Sequence, residues 1–242
     1  MLKRIGRFIM IDGIDGSGKS TVVTAIREWA KACNHRIFDL NAWCKEHENL
    51  PRFDEVADHD VFFLHEPTKV WVGAAIRQEM IGAGSMYTGI EQAYGFSLDR
   101  LILYRRLIIP ALLAGKRVIS DRGVTTSIVY QPEMPGGPTL EELLALPGNV
   151  QALEHRPDDL IITTIPPVKA LARLSARKDG DPTQIYEHLE LLTKFDERYR
   201  ADWFAKLFTD RGTIMHRLDT DCPIDEARRR AITLVSSILM TC

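Results

Sequence analysis

Five short, nearly continuous apolar runs punctuate the chain, at Phe8 to Ile11, Val61 to Leu64, Arg117 to Ser120, Leu160 to Ile165 and Ile214 to Leu218. Strands covered on both faces read this way, whereas a sheet with one wet face alternates apolar and polar positions. Between the runs, apolar residues recur at helical spacing. This predicts helices over Ser20 to Cys33, Gln92 to Ala114 with a break or bend at Pro110, Leu140 to Leu146, Val168 to Lys178, Thr183 to Phe208 and Ile224 to Met240. Strands alternating with helices imply an α/β fold, here a five-stranded parallel sheet with helices on both faces. The Gly- and Pro-rich stretch "QPEMPGGP" (131–138) predicts a surface loop, and "RKDGDP" (177–182) a helix stop followed by a new start. No internal repeat or low-complexity tract interrupts the pattern.

A chain of 242 residues, 45% of them apolar, suits one domain over 1–242 with a sizeable core and a short mobile segment. Its 31 Lys and Arg against 33 Asp and Glu leave a net charge of -2, which gives no basic field for nucleic acid or a membrane surface. Any phosphate must therefore meet local cations. The N-terminal "MLKRIGRFIMIDG" carries positive charge before apolar residues, but its apolar run is too short for a signal peptide, and no later run approaches a membrane span. Cys33, Cys44, Cys222 and Cys242 share no CxxC spacing and no neighbouring His cluster, which leaves a reducing cytoplasm as the expected setting.

The first apolar run enters "GIDGSGKS", a match to G-x-x-x-x-G-K-[ST]. From Gly13 through Ile14, Asp15, Gly16 and Ser17 to Gly18, successive backbone N–H groups can wrap a phosphate. The following helix adds its unpaired N-terminal donors, Lys19 reaches the terminal phosphates, and Ser20, with Thr21 beside it, can ligate Mg²⁺. The strand before and helix after the loop supply the context this motif requires, and the fold expected is of the P-loop NTPase type. No Asn-Lys-x-Asp follows for guanine recognition.

Bringing ATP's γ-phosphate to a second phosphate gathers several negative charges within a few ångströms, and such a reaction needs cations around both groups. Asp121 and Arg122 stand where a strand ends, the position at which open α/β sheets bind ligands, though a strand-end salt bridge reads the same. Asp99 and Arg100 lie in a helical stretch and taken alone could be a solvated face. Arg173 and Arg177, four apart and so on one helix face, precede Lys178 and Gly180, as a lid over about 173–185 or a solvated helix end would.

Together these segments resemble the thymidylate kinase family. "FIMIDGIDGSGKST" is similar to its first strand and P-loop, "HEPT" followed by "GAAIR" to its Glu-Pro segment, "FSLDR" to its base-contact helix, and "ALLAGKRVISDRGVTTSIVYQ" to the Asp-Arg strand end and the Tyr-Gln pair beyond it. The likeness covers nearly the whole chain except 34–60. It implies Mg·ATP and dTMP as substrates, a homodimer packed through apolar helices, and roles for individual side chains. Phe96 would stack on thymine, Arg100 contact the base and Arg122 hold the acceptor phosphate. Tyr130, Gln131 and Thr126 would line the sugar and base pocket, with Glu66 in the Glu-Pro segment. Asp15 would approach the sugar hydroxyl and the metal, and Asp121 would join Ser20 at Mg²⁺. With no arginine in the P-loop, the lid would supply it through Arg173 and Arg177.

The chain also departs from the family pattern. His65 stands where the family usually has Arg before Glu-Pro, making Arg77 the substitute for that phosphate contact, and Gly123 stands where an aromatic is common. "DPTQIYE" replaces the usual acidic-aromatic run after the lid glycine. Residues 34–60 are longer than the usual connection: an insertion over the acceptor site, a dimer element or a surface excursion. Two other functions fit parts of the sequence. One is a kinase for another deoxynucleotide or a deoxynucleoside, since "EPTKVW" is also similar to deoxynucleoside kinases; the other is a non-catalytic nucleotide-binding protein.

Overall fold

The computed structural model describes residues 5–82, 85–176 and 188–239. Six parallel strands, not five, form one sheet in the order β2-β3-β4-β1-β5-β6. They are β1 (Arg7–Asp12), β2 (Ile37–Asp39), β3 (Val61–His65), β4 (Arg117–Asp121), β5 (Asp159–Thr164) and β6 (Ile214–Asp219). Along β1 the side chains alternate between two cores. Phe8 and Met10 pack with Leu107, Ile128 and Phe204 on one face, while Ile9 and Ile11 pack with the helices α1 (Lys19–Ala32) and α12 (Ile224–Leu239) on the other. Both faces being covered explains why the strands lack polar alternation.

The sixth strand corrects the reading of 34–60 as a possible surface excursion. β2 pairs with β3 from Ile37↔Val61 to Asp39↔Phe63, and Asp39 caps α2 (Leu40–His47) by accepting from the backbone N–H of Asn41 and Ala42. Phe38, Leu40, Cys44, Leu50 and Val56 all enter the core. Three residues are too few to establish a period, and charged neighbours mask them.

The predicted Gln92–Ala114 helix runs from α4 (Gly89–Leu103) through a π-helical stretch at Tyr104–Ile108 into α5 (Ile109–Leu113). The wider turns lie just before Pro110, which has no N–H for a regular i→i−4 ladder. In this element Leu103, Tyr104, Leu107, Ile108, Ala111 and Leu112 are core, while Leu113 is 37% exposed.

After β4 come α6 (Val124–Tyr130), a 3-10 turn at Gln131–Glu133 and α7 (Leu140–Ala145). A further helix, α8 (Pro147–Glu154), was concealed by its "PGN" start, which reads as a turn although proline suits a first helical position. α9 (Pro167–Ser175) stands for the predicted Val168–Lys178. The predicted Thr183–Phe208 helix is two, α10 (Leu189–Arg200) and α11 (Asp202–Thr209), parted by extended Ala201 at ψ 141°. Two further short elements among the described residues are a 3-10 turn at Phe53–Glu55 and α3 (Trp71–Ala75), the latter continued by a π turn over Ile76–Met80. Arg177 and residues 178–187, which hold most of the expected lid, lie outside the described residues.

Candidate active site

At the carboxyl end of β1, Asp12 is fully buried and organises the turn. One oxygen accepts from the Gly13 N–H at 2.8 Å, and the other accepts from the Thr125 and Thr126 hydroxyls at 2.5 and 2.7 Å. The loop then passes through Gly13, Gly16 and Gly18 at φ 144°, 76° and 89°. A side chain at Gly13 would also put its Cβ 2.5 Å from the Thr163 carbonyl oxygen. Both backbone freedom and space thus require glycine there. Lys19 opens α1 and folds back over the loop, its Nζ donating to the carbonyls of Gly13 and Ile14, each at 2.9 Å. Burial pushes its ammonium down to about 8, with Arg122 adding to the effect and Asp15 opposing it. Ser20 is exposed in the first turn, and Thr21 follows it.

Arg122, just past β4, adopts a left-handed φ of 69°, uncommon for a residue with a Cβ. Its N–H donates to the Ile11 carbonyl at 2.9 Å, and its own carbonyl accepts from the Ser120 hydroxyl at 2.7 Å. This geometry sends the guanidinium back to the P-loop, where it is hydrogen-bonded to Asp15 and lies 3.8 Å from Asp12. Tyr130 donates its hydroxyl to the other Asp15 oxygen at 3.3 Å and stacks on Phe195 of α10, centroids 3.8 Å apart. Burial would raise the Asp15 carboxyl, but Arg122 and Lys19 outweigh it and hold the group below the ordinary carboxylate range.

A simple Asp121–Arg122 strand-end pair is therefore not what forms. Asp121 instead faces His65, its register partner across β3 and β4, with Nδ1 and Oδ2 3.4 Å apart. The other oxygen of Asp121 is buried without a hydrogen-bond partner among the described residues.

Asp15, Arg122, Tyr130 and His65 border a cavity of about 310 Å³, within the range of small-molecule sites. Its walls include all nine residues expected on the acceptor side: Asp15, Glu66, Arg77, Phe96, Arg100, Arg122, Thr126, Tyr130 and Gln131. Phe96 is half-buried at the cavity and belongs to neither core cluster. Asp99 and Arg100, far from being a solvated face, are 2% and 1% exposed. Asp99 accepts from the N–H and hydroxyl of Thr68 at 2.7 and 2.6 Å, fixing the segment after Glu66. Arg77 reaches the same segment, donating to the Thr68 and Pro67 carbonyls at 3.1 and 2.5 Å. Arg100 donates to Glu66 at 2.7 Å, to Ser127 at 3.0 Å and to Asn149. Burial lifts the Glu66 carboxyl to about 7 against the pull of Arg100. Oε1 atoms of Glu66 and Gln131 are buried and unpartnered among the described residues.

Asp12, Ser127 and Asn149 are the organising residues that sequence reasoning missed. Asp12 ends an apolar run immediately before the loop, which is the one signal that could have singled it out.

A second cavity, of about 380 Å³, opens on the other side of the P-loop, lined by Gly18, Thr21, Arg173, Thr220 and Cys222 among others. Arg173 lies here and not in the first cavity, donating to the Thr220 carbonyl at 2.8 Å. The Thr220 hydroxyl in turn donates to the Ser17 carbonyl at 2.7 Å.

Six parallel strands covered on both faces, with a Gly-rich loop running from the central β1 into α1, define a P-loop NTPase-type α/β protein. The family model for thymidylate kinase matches residues 50–230. The chain is 28% identical to a probable thymidylate kinase of Pyrococcus abyssi (strain GE5 / Orsay) over 97% of this chain and 98% of that protein. It is 30% identical to a probable thymidylate kinase of Pyrococcus horikoshii over 80% and 81%, and 31% identical to one of Thermococcus onnurineus (strain NA1) over 79% and 82%. The chain belongs to the thymidylate kinase family.

Proposed function

We propose that the protein transfers the γ-phosphoryl group of Mg·ATP to dTMP, giving dTDP and ADP. The observation that carries this reading is the Arg122–Asp15–Tyr130 cluster, which joins the phosphate loop to a cavity of monophosphate size. A donor phosphate on the loop and an acceptor phosphate on Arg122 would then meet across one wall. Little covalent chemistry is asked of the protein; positioning and charge stabilisation do the work.

In this account Lys19 and the loop amides from Gly13 to Ser20 hold the β- and γ-phosphates. Arg122 anchors the acceptor phosphate, with Arg77 beside it, and Phe96 and Arg100 face the base. Thr126, Tyr130, Gln131 and Glu66 form the remaining wall. Arg173 borders the donor cavity, and with Arg177 it supplies the lid's positive charge. A divalent ion held mainly by the nucleotide's phosphates fits the donors present. An exposed Ser20 hydroxyl and the unpartnered Asp121 oxygen suit an ion that takes most of its ligands from phosphate and water, as Mg²⁺ does. Its chemistry would be to bridge and neutralise the β- and γ-phosphate oxygens.

A homodimer is part of the same reading. Tyr94 and Leu98, one turn apart on α4, are 58% and 49% exposed, and Val150 on the adjoining α8 is 40% exposed. These apolar residues offer a contact face for a second copy. No helix among the described residues is long and apolar enough to cross a membrane, and Cys33, Cys44 and Cys222 are free thiols. We assign the protein to the cytoplasm.

The test is thermal. A dinucleotide joining adenosine to thymidine through phosphates is expected to raise Tm well beyond ATP alone, because it occupies both cavities at once. A shift no larger than that of ATP contradicts the reading.

A further inference from the structure

We propose that Asn149 is a positioning residue for the acceptor: it lies behind the cavity wall, touches no substrate, and fixes the face that Arg100 presents. The inference rests on the reading of the first cavity as the monophosphate site. Arg100 is 1% exposed and a guanidinium has five N–H donors. Three go to side chains, Nε to Glu66 at 2.7 Å, one Nη to Ser127 at 3.0 Å and the other Nη to Asn149. One N–H on each terminal nitrogen is left without a partner among the described residues. The plane of the group is set by these three acceptors, and Arg100 itself lines the cavity.

Of the three acceptors, Asn149 alone does not line the cavity. It is fully buried in the first turn of α8, and its own Nδ2 donates to the Leu143 carbonyl at 2.7 Å. That bond determines which end of the amide faces Arg100, since the Leu143 oxygen can accept only from the nitrogen. The turn is fastened to α4 next door. The Gly148 N–H donates to the Ser97 hydroxyl at 2.9 Å, and a Cβ at Gly148 would stand 1.8 Å from the Ser97 carbonyl oxygen. Ser97 and Arg100 are three apart on α4, on one face with Phe96 close by, so α8 braces the wall that carries the base-facing residues.

Two variants separate this role from plain packing. Asn149→Leu loses both hydrogen bonds, whereas Asn149→Asp loses the bond to Leu143 but keeps an acceptor for Arg100. Steady-state kinetics of the intact protein at pH 8 with Mg·ATP and dTMP should show KM for dTMP rising about tenfold in Asn149→Leu, with KM for ATP and kcat within about threefold of wild type. Asn149→Asp should remain within about threefold in all three. Equal damage in both variants, or KM unchanged in both, overturns the proposal and makes Asn149 a packing residue only. Should either variant fail to fold, Asn149→Ala is read by the same split between the two KM values, and a uniform loss sinks the idea. If wild type turns over no monophosphate at all, the reading of the cavity falls first and this inference with it. Turnover of dTMP by wild type with no selective KM change in the variants overturns this inference alone.

Discussion

Replacing Lys19 with methionine is expected to lower kcat/KM by at least about a thousandfold while leaving the ligand-free protein as stable as wild type at pH 7, within about 1 kcal/mol. The two halves of this prediction have one cause. In the proposed mechanism the ammonium serves phosphates; in the ligand-free protein it is a nearly buried charge with a side chain only 7% exposed, satisfied by the carbonyls of Gly13 and Ile14 and by Asp15 at 3.7 Å. Its pKa in the folded chain, about 8 against an ordinary 10.5, means that the folded state tolerates the charge worse than the unfolded chain does, by about 3 kcal/mol. Methionine relieves that cost but forfeits two hydrogen bonds worth about 1 kcal/mol each.

The sign with pH follows. Below pH 8 the lysine is protonated in both states and the cost is fully present. Between 8 and 10.5 the folded chain sheds the proton first, so wild type gains stability relative to Lys19→Met as pH rises. Thermal unfolding of both proteins at pH 7 and pH 10 checks this: nearly equal Tm at pH 7 and a higher wild-type Tm at pH 10 are expected. A variant much less stable at pH 7 would mean that Lys19 is structural, and the assignment to phosphate would lose its main support.

Arg122→Lys is the second large effect. It keeps the charge but loses the planar fork, and kcat/KM for dTMP should fall about a hundredfold or more, while ATP affinity changes by less than about threefold. The guanidinium reaches Asp15 only because the backbone at Arg122 takes φ 69°, a conformation held by Ile11 and Ser120. Lysine inherits that backbone but offers Asp15 and an acceptor phosphate a single point of contact. Steady-state kinetics in dTMP, with ATP binding measured separately, distinguish the cases. Equal losses for both substrates would place Arg122 at the phosphate loop and take the acceptor off it.

Much of this site was legible because its residues stand at sequence positions that physics marks. A Gly-rich loop after an apolar run and an Asp-Arg pair where a strand stops are short-range signals, whereas Phe96 and the wall of Glu66, Thr126, Tyr130 and Gln131 came from the resemblance to the thymidylate kinase family. All nine acceptor-side residues line one cavity. What stayed hidden depends on long-range geometry. Nothing near Asn149 in the sequence announces that α8 will lie against α4, and the turn-like "PGN" argues against a helix there. The short β2 was invisible for a related reason, since its strand character comes from pairing with β3 and not from its own three residues. The strand-end salt bridge that adjacency left open between Asp121 and Arg122 does not form: the left-handed backbone turns the arginine toward Asp15 and leaves Asp121 to His65.

The central claim is the transfer of phosphate to a deoxynucleoside monophosphate, and the direct measurement is a comparison of acceptors. The protein would be incubated with Mg·ATP and, in turn, each nucleoside and deoxynucleoside monophosphate and free thymidine, while ADP and the phosphorylated product are quantified. The account predicts that dTMP is strongly preferred and that dTDP and ADP appear in equal amounts. Preference for thymidine would contradict it, since an acceptor without phosphate gives Arg122 nothing to hold, and ADP release with no phosphorylated acceptor would contradict it altogether.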